Sequence, residues 1–197
     1  MSGILVVTNR KLCRENFLDR IERLLDAGVD KIILREKDMD PAEYRDLAKR
    51  VIRISDNYDT DLILHNYIDI AIELNHPMIH LPIPSLRTLD QFNTIGVSCH
   101  SLKDVEIAEK FNVSYITFGH VFSTDCKKDL EPRGLEALRN ICHNTALPVY
   151  AIGGMTPDNY KDILKAGAKG CAIMSSAMIS EDPVKLIKEF KEIENLI

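Results

Sequence analysis

The sequence predicts a single-domain (β/α)8 barrel, in which eight parallel strands form a closed inner sheet surrounded by helices. Three observations lead to this prediction: eight short apolar runs, helical patterns between most of them, and a length of 197 residues, which suits one domain with a sizeable core. Most runs are continuously apolar, as expected for strands buried on both faces of a parallel sheet. A doubly wound open sheet is the alternative, but no glycine-rich nucleotide fingerprint follows the first run.

The strands and helices can be placed in order along the chain. The strands are predicted at residues 4–8, 31–35, 61–65, 78–81, 94–98, 115–119, 149–152 and 170–174. Helices are predicted at 16–26, 101–111 and 135–143, and after the start signals Asp40-Pro41, Thr156-Pro157 and Asp182-Pro183. The segments after the third and fourth strands leave room only for short or irregular helices. No linker divides the chain, so residues 1–197 are predicted to form one domain.

The composition indicates an ordinary globular protein, with 45% hydrophobic and 28% charged residues. A net charge of −5 argues against nucleic acid or an anionic membrane as the main partner. No apolar run is long enough to span a bilayer, and no basic leader precedes the first strand, so a cytoplasmic location is predicted. The five cysteines form no CxxC pair, which favours free thiols, and no spacing suggests a zinc site.

The most informative stretch is residues 118–128, where the sixth strand ends in a polar loop. In a (β/α)8 barrel the chemistry lies at the carboxyl ends of the strands. His120 stands at such an end, and histidine can move a proton near neutral pH, although a histidine that only ties down its loop is the alternative. Lys127 and Lys128 follow as anion-binding candidates, or as solvated lysines of a loop tip. Cys126 lacks a base partner fixed by the sequence, so a nucleophile there is the less favoured interpretation.

Two pairs of small residues predict a phosphate site. Gly153 and Gly154 follow the seventh strand, and Ser175 and Ser176 follow the eighth. The loops after these strands commonly bind phosphate in such barrels, where glycines let the backbone approach the ligand. A tight turn and a helix cap are the simpler alternative.

Arg35 and Lys37, at the end of the second strand, are separated by one residue and point the same way in extended backbone. If they face the mouth of the barrel they form an anion clamp, with Glu36 turned aside; a solvated charge run is the alternative. Asn66 and Ser98, from the third and fifth strands, are also assigned to the substrate site.

The remaining histidines make weaker candidates. His65 and His100 lie at strand ends, whereas the other three are expected at the starts of helices or strands, on the wrong side of the barrel: His76, His80 and His143.

Four motifs taken together resemble the thiamine phosphate synthase superfamily over nearly the whole chain. They are Leu34-Arg35-Glu36-Lys37, Gly96-Val97-Ser98-Cys99-His100-Ser101, Val121-Phe122-Ser123-Thr124 with Lys127, and Ala151-Ile152-Gly153-Gly154-Met155-Thr156-Pro157. The resemblance implies a (β/α)8 barrel. In the synthases, which join a pyrimidine diphosphate to a thiazole phosphate, two aspartates hold magnesium. Their places are taken here by Asn66 and Ser85, which are poor ligands for a hard dication.

A second branch of the superfamily is more similar in the sixth-strand region. Phe118-Gly119-His120-Val121-Phe122, followed by Thr124-Asp125-Cys126-Lys127-Lys128 and Arg133-Gly134, resembles the TenI-type thiazole tautomerases. This resemblance implies an isomerase that shifts a proton of a 2-carboxy-thiazolylidene ethyl phosphate and so makes the aromatic carboxythiazole phosphate. It implies that His120 transfers the proton and that no cofactor is needed. Arg35, Lys37 or Lys127 would then balance the substrate's negative charge.

Two alternatives stay open at this point. One is a thiamine phosphate synthase that needs magnesium, and the other is a non-catalytic regulator that binds a phosphorylated ligand. In each case the expected partner is a small phosphorylated molecule, and a homodimer is possible.

Overall fold

In the computed structural model, which describes residues 3–124 and 130–196, the chain forms a closed barrel of eight parallel strands. The strands follow one another around the barrel in chain order, and the last pairs with the first. They are β1 Gly3–Val7, β2 Lys31–Leu34, β3 Asp61–His65, β4 Met78–Pro82, β5 Thr94–Cys99, β6 Tyr115–Gly119, β7 Val149–Ile152 and β8 Gly170–Ile173. The predicted barrel is therefore confirmed, and the open-sheet alternative is wrong.

Helices connect the strands. Among the described residues they are α1 Phe17–Asp26, α2 Pro41–Ser55, α3 Ile68–Glu73, α4 Leu102–Ala108, α5 Gly134–His143, α6 Pro157–Lys165, α7 Ser175–Ile179 and α8 Pro183–Glu194, with 3-10 turns at Arg10–Leu12 and Ile83–Ser85. As predicted, the segments after β3 and β4 are short: α3 has six residues, and only a 3-10 turn precedes β5. The Ser175-Ser176 pair, predicted as a turn, instead begins α7.

The predicted helix starts carry the side-chain caps that their residue types indicate. Asp40 accepts hydrogen bonds from the amides of Ala42 and Glu43 at the start of α2, and Asp182 accepts one from Lys185 at the start of α8. Caps of this kind contribute about 1 kcal/mol each. The chain reverses after α6 at Gly167, whose φ of +100° suits glycine.

The apolar core has two parts. The larger part lies between the strands and the helices, and a smaller cluster fills the barrel with Leu5, Val7, Ile33, Ile63, Tyr115, Tyr150 and Ala172. Tyr44 of α2 is fully buried in the larger part. Its hydroxyl donates to Leu34 O at 2.7 Å and accepts from His65 N at 2.9 Å, so it ties the ends of β2 and β3 together.

No helix among the described residues is long and apolar enough to cross a membrane. Four cysteines are free thiols, as predicted: Cys13, Cys99, Cys142 and Cys171. The fifth, Cys126, lies within 125–129, outside the described ranges.

Candidate active site

A cavity of about 1070 Å³ opens among the carboxyl ends of the strands. It is lined by most of the residues that the sequence assigns to the site, namely Arg35, Lys37, Ser98, His120, Gly153, Gly154, Ser175 and Ser176. Asn66 is exposed and does not line the cavity. Lys127 falls outside the described residues, so its predicted role stays a prediction.

His120 follows β6 and is 5% exposed where it lines the cavity. The peptide bond between Gly119 and His120 is cis. The Nε2 atom of His120 lies 3.1 Å from Leu130 O, and since a carbonyl only accepts, Nε2 carries the proton. In the neutral ring Nδ1 then has a lone pair, and this buried atom has no hydrogen-bond partner among the described residues. An unpaired buried acceptor is uncommon and points to a ligand or a transferable proton.

The glycine pair after β7 lets two loops pack backbone against backbone. A Cβ on Gly153, whose φ is +101°, would lie 2.3 Å from His120 Cβ. A Cβ on Gly154, whose φ is +66°, would lie 2.4 Å from Ser123 O. The space that these glycines leave open is therefore filled by the loop after β6. Their first structural effect is to hold His120 against the end of β7.

Arg35 and Lys37 both line the cavity, and the residue between them is turned away. Glu36 is 1% exposed and accepts hydrogen bonds from Thr8 Oγ1 at 2.7 Å and from the Arg10 amide at 3.0 Å. The Arg10 guanidinium adds an ion pair to Glu36 at 3.2 Å. Because Glu36 is fixed in this way, its two neighbours are held toward the cavity by the alternation of extended backbone.

Two buried histidines lie side by side deeper in the cavity. His65 ends β3 and His80 stands at the centre of β4, with ring centroids 5.9 Å apart. Burial, together with the positive charges of Arg35 and Lys37, lowers the pKa of His65 to about 3. Burial likewise holds the pKa of His80 well below its usual value. Both rings are therefore neutral at physiological pH.

The sequence analysis was wrong to place His80 on the far side of the barrel. Its side chain is 2% exposed, lies inside the barrel and lines the cavity. The signal that could have found it is the alternation of the fourth strand. His80 stands two residues before Pro82, which also lines the cavity, so both point to the same face.

The positions of the two metal-binding aspartates implied by the resemblance are neighbours in space. Ser85 Oγ lies 3.5 Å from Asn66 Oδ1. Neither side chain is charged, and no group of three or more histidine, cysteine or carboxylate side chains suited to a metal occurs among the described residues. Among the described residues that line the cavity, only Glu131 is acidic. The residues present do not fit a magnesium site of the synthase kind.

The short helix α7 places Ser175 and Ser176 on the cavity wall. The sequence analysis missed the residue that anchors it, Arg20 of α1, which is almost completely buried. Arg20 donates from Nη1 to Ala177 O at 3.0 Å and forms an ion pair with Glu15. A buried guanidinium of this kind connects α1 to the serine pair.

A (β/α)8 barrel whose strand ends enclose a cavity lined by histidines and basic side chains has the layout of the enzymes of this fold, whose active sites lie at this end. The family can then be stated. A model of the family described as thiamine monophosphate synthase matches residues 4–177, most of the chain. The chain therefore belongs to this family.

Individual relatives agree with the family match. A thiamine-phosphate synthase of Pyrococcus abyssi is 33% identical over 193 residues, covering 95% of this chain and 92% of the relative. A thiamine-phosphate synthase of Clostridium acetobutylicum is 30% identical over 183 residues, covering 89% of this chain and 87% of the relative. The solved structure of a thiamine phosphate pyrophosphorylase from Pyrococcus furiosus has a TM-score of 0.83 at 29% identity, covering 98% of this chain and 96% of that one.

Proposed function

We propose that this chain is an enzyme of thiamine biosynthesis that acts on a phosphorylated thiazole. Its family and the names of its relatives support this class of substrate. The relatives taken alone favour the synthase reaction, the coupling of a pyrimidine diphosphate to a thiazole phosphate. The side chains of the cavity favour a different reaction, so the two are compared below.

The chemistry of the cavity favours proton transfer. Coupling releases pyrophosphate, whose charge magnesium stabilises in the synthases, yet the positions corresponding to the metal carboxylates are the neutral Asn66 and Ser85. A proton shift needs no such site. It needs one acid–base group, and His120 offers a buried ring nitrogen with no partner among the described residues. We therefore put the tautomerase reaction first, carried by this unpaired nitrogen.

In the proposed reaction one proton leaves C2 of a 2-carboxy-thiazolylidene ethyl phosphate and one arrives at the exocyclic carbon. Atoms and electrons balance without a further reactant, and the product is the aromatic carboxythiazole phosphate. His120 accepts and returns the proton through Nδ1, while its Nε2–H stays bonded to Leu130 O. Gly153, Gly154, Ser175 and Ser176 hold the phosphate, and Arg35 or Lys37 balances the carboxylate.

The test replaces the acid–base nitrogen and keeps the loop contact. In His120→Gln the side-chain amide can still donate to Leu130 O, but it cannot take a proton. We expect the rate of carboxythiazole phosphate formation to fall at least ~100-fold. His143→Gln is the matched control, because His143 lies on the exposed end of α5 and bonds only within that helix. An unchanged rate in His120→Gln contradicts the mechanism.

The synthase reaction is tested with the same preparations. Purified protein is given the pyrimidine diphosphate, the thiazole phosphate and magnesium, and formation of thiamine phosphate is measured. Coupling without tautomerisation establishes the synthase. Binding of carboxythiazole phosphate with no turnover in either assay establishes a non-catalytic regulator instead.

A further inference from the structure

A line of hydrogen-bonded side chains crosses the barrel interior and ends in the cavity at Ser98. Tyr115 Oη lies 3.0 Å from His80 Nδ1, and His80 Nε2 lies 2.8 Å from Ser98 Oγ. Tyr115 and His80 are 3% and 2% exposed, whereas Ser98 is half-buried and lines the cavity. The inner end of the line is therefore sealed from water, and its outer end faces the ligand space.

The backbone of β5 makes room for this line. A Cβ on Gly96 would lie 2.2 Å from Tyr115 Cζ and 2.5 Å from His80 Nδ1. Three neighbouring strands thus each contribute a matching residue: a histidine from β4, a glycine from β5 and a tyrosine from β6. A contact that requires all three is a built feature of the interior.

The direction of the hydrogen bonds follows from counting protons. Burial holds the pKa of His80 well below its usual value and that of Tyr115 well above, so both groups are neutral and His80 has one N–H. If that proton were on Nδ1, the Tyr115 hydroxyl proton would be buried without an acceptor, because Tyr115 Oη has no second partner among the described residues. Tyr115 therefore donates to Nδ1, and the Nε2–H of His80 donates to Ser98 Oγ.

The hydroxyl proton of Ser98 must then point elsewhere. Thr117 Oγ1 is 3.4 Å away, beyond the usual range for O–H···O bonds. We propose that Tyr115 and His80 are positioning residues that fix Ser98 as a hydrogen-bond donor toward the cavity. The group it meets is a ligand oxygen that accepts, such as one of a carboxylate or a phosphate.

The order serine, histidine and third group is that of a nucleophile triad, but the proton count reverses it. In a triad the third group accepts from Nδ1–H, which leaves Nε2 free to take the serine proton. Here the third group is a neutral hydroxyl that donates to Nδ1. His80 therefore gives a proton to the Ser98 bond, and Ser98 is a binding group rather than a nucleophile.

The direct test needs no ligand and does not depend on the proposed function. In protein labelled with ¹⁵N-histidine, long-range ¹H–¹⁵N spectra distinguish the two tautomers, and the His80 signals are those lost in His80→Gln. We expect the Nε2–H tautomer, unchanged from about pH 6 to about pH 8. Tyr115→Phe should shift the signals toward a mixture. An Nδ1–H tautomer or a charged ring in the unaltered protein overturns the proposal.

The effect on the ligand is tested by a double-mutant cycle, and this arm rests on the proposed function. Tyr115→Phe and Ser98→Ala should each weaken binding of carboxythiazole phosphate about 5-fold, and the double variant no more than either. A merely structural role of Tyr115 predicts additive losses, which contradicts the proposal. Tyr150→Phe is the control, because Tyr150 packs edge-on against Tyr115 but is not bonded to His80. No binding by the unaltered protein refutes the proposed ligand and leaves the tautomer result decisive here.

Discussion

The two sides of the cavity mouth are built in different ways. On the side formed by β6 and β7, backbone packs on backbone, with His120 pressed against Gly153. On the side formed by the ends of β3 and β4, Asn66 and Ser85 meet only through their side chains, at 3.5 Å, and Asn66 is exposed.

This difference shows where a barrel of this family can change its chemistry at low cost. On the β3–β4 side a residue can be exchanged with little effect on packing, because its side chain faces open space. On the β6–β7 side any added atom meets the backbone, so residue choice there is restricted by the fold itself. An altered metal site and a retained histidine loop are the outcome expected of such a barrel.

The largest effect should come from breaking the tightly packed side. In Gly153→Ala the new Cβ meets His120, and the φ of +101° is strained for alanine, so we expect a loss of about 2–5 kcal/mol in the free energy of unfolding. Gly134→Ala is the matched control, because its φ of +78° is also positive but no atom lies within 4 Å of the added Cβ. Urea unfolding compares the two variants, and equal losses would mean that backbone strain alone limits this position.

A second effect, of intermediate size, concerns the buried His65 at the end of β3. Its pKa is about 3 in the folded chain and about 6.5 when unfolded, so between these values the unfolded chain binds more protons. Stability is therefore lost as the pH falls from about 6.5 toward 3.

Between pH 7 and pH 5 we expect the unaltered protein to lose about 2 kcal/mol more than His65→Gln does. The free energy of unfolding in urea at the two pH values gives this difference. His143→Gln, at an exposed position, should keep the slope of the unaltered protein. If His65→Gln also keeps that slope, the ring is not held neutral.

The smallest effect sharpens the β3–β4 side. In Asn66→Asp with Ser85→Asp, two carboxylates would replace side chains whose atoms are 3.5 Å apart. We expect magnesium to bind roughly tenfold more tightly than in the unaltered protein, as measured by calorimetry. Each single aspartate variant should give less than half of this gain in binding free energy. Equal magnesium affinity in the double variant and the unaltered protein would show that these positions do not decide metal binding.

Several parts of the fold and site followed from local patterns. The strands 61–65, 115–119 and 149–152 were predicted with the bounds they have, because continuous apolar runs between polar breaks are enough to mark buried parallel strands. Asp40 and Asp182 marked two helix starts through their capping chemistry. The strand ends then named most of the residues that line the cavity.

Other features depended on contacts between distant residues. His80 appeared to lie on the wrong side until the strand pairing set which face its side chain occupies. The bond of Glu36 to Thr8, and that of Arg20 to α7, join residues that no local pattern relates. Gly153 and Gly154 were predicted to receive a ligand, yet the structure shows first that they receive the loop after β6.

The sequence by itself thus determined the eight strands, the barrel and the strand ends at which the side chains of the site are placed, because these depend on short-range polarity and capping. Only the tertiary structure decided which nitrogen of His120 is unpaired, which way the Tyr115–His80–Ser98 line donates, and that Asn66 and Ser85 are neighbours. The physical reason is that hydrogen-bond direction and burial are properties of groups brought together by closure of the barrel, and no single segment contains them.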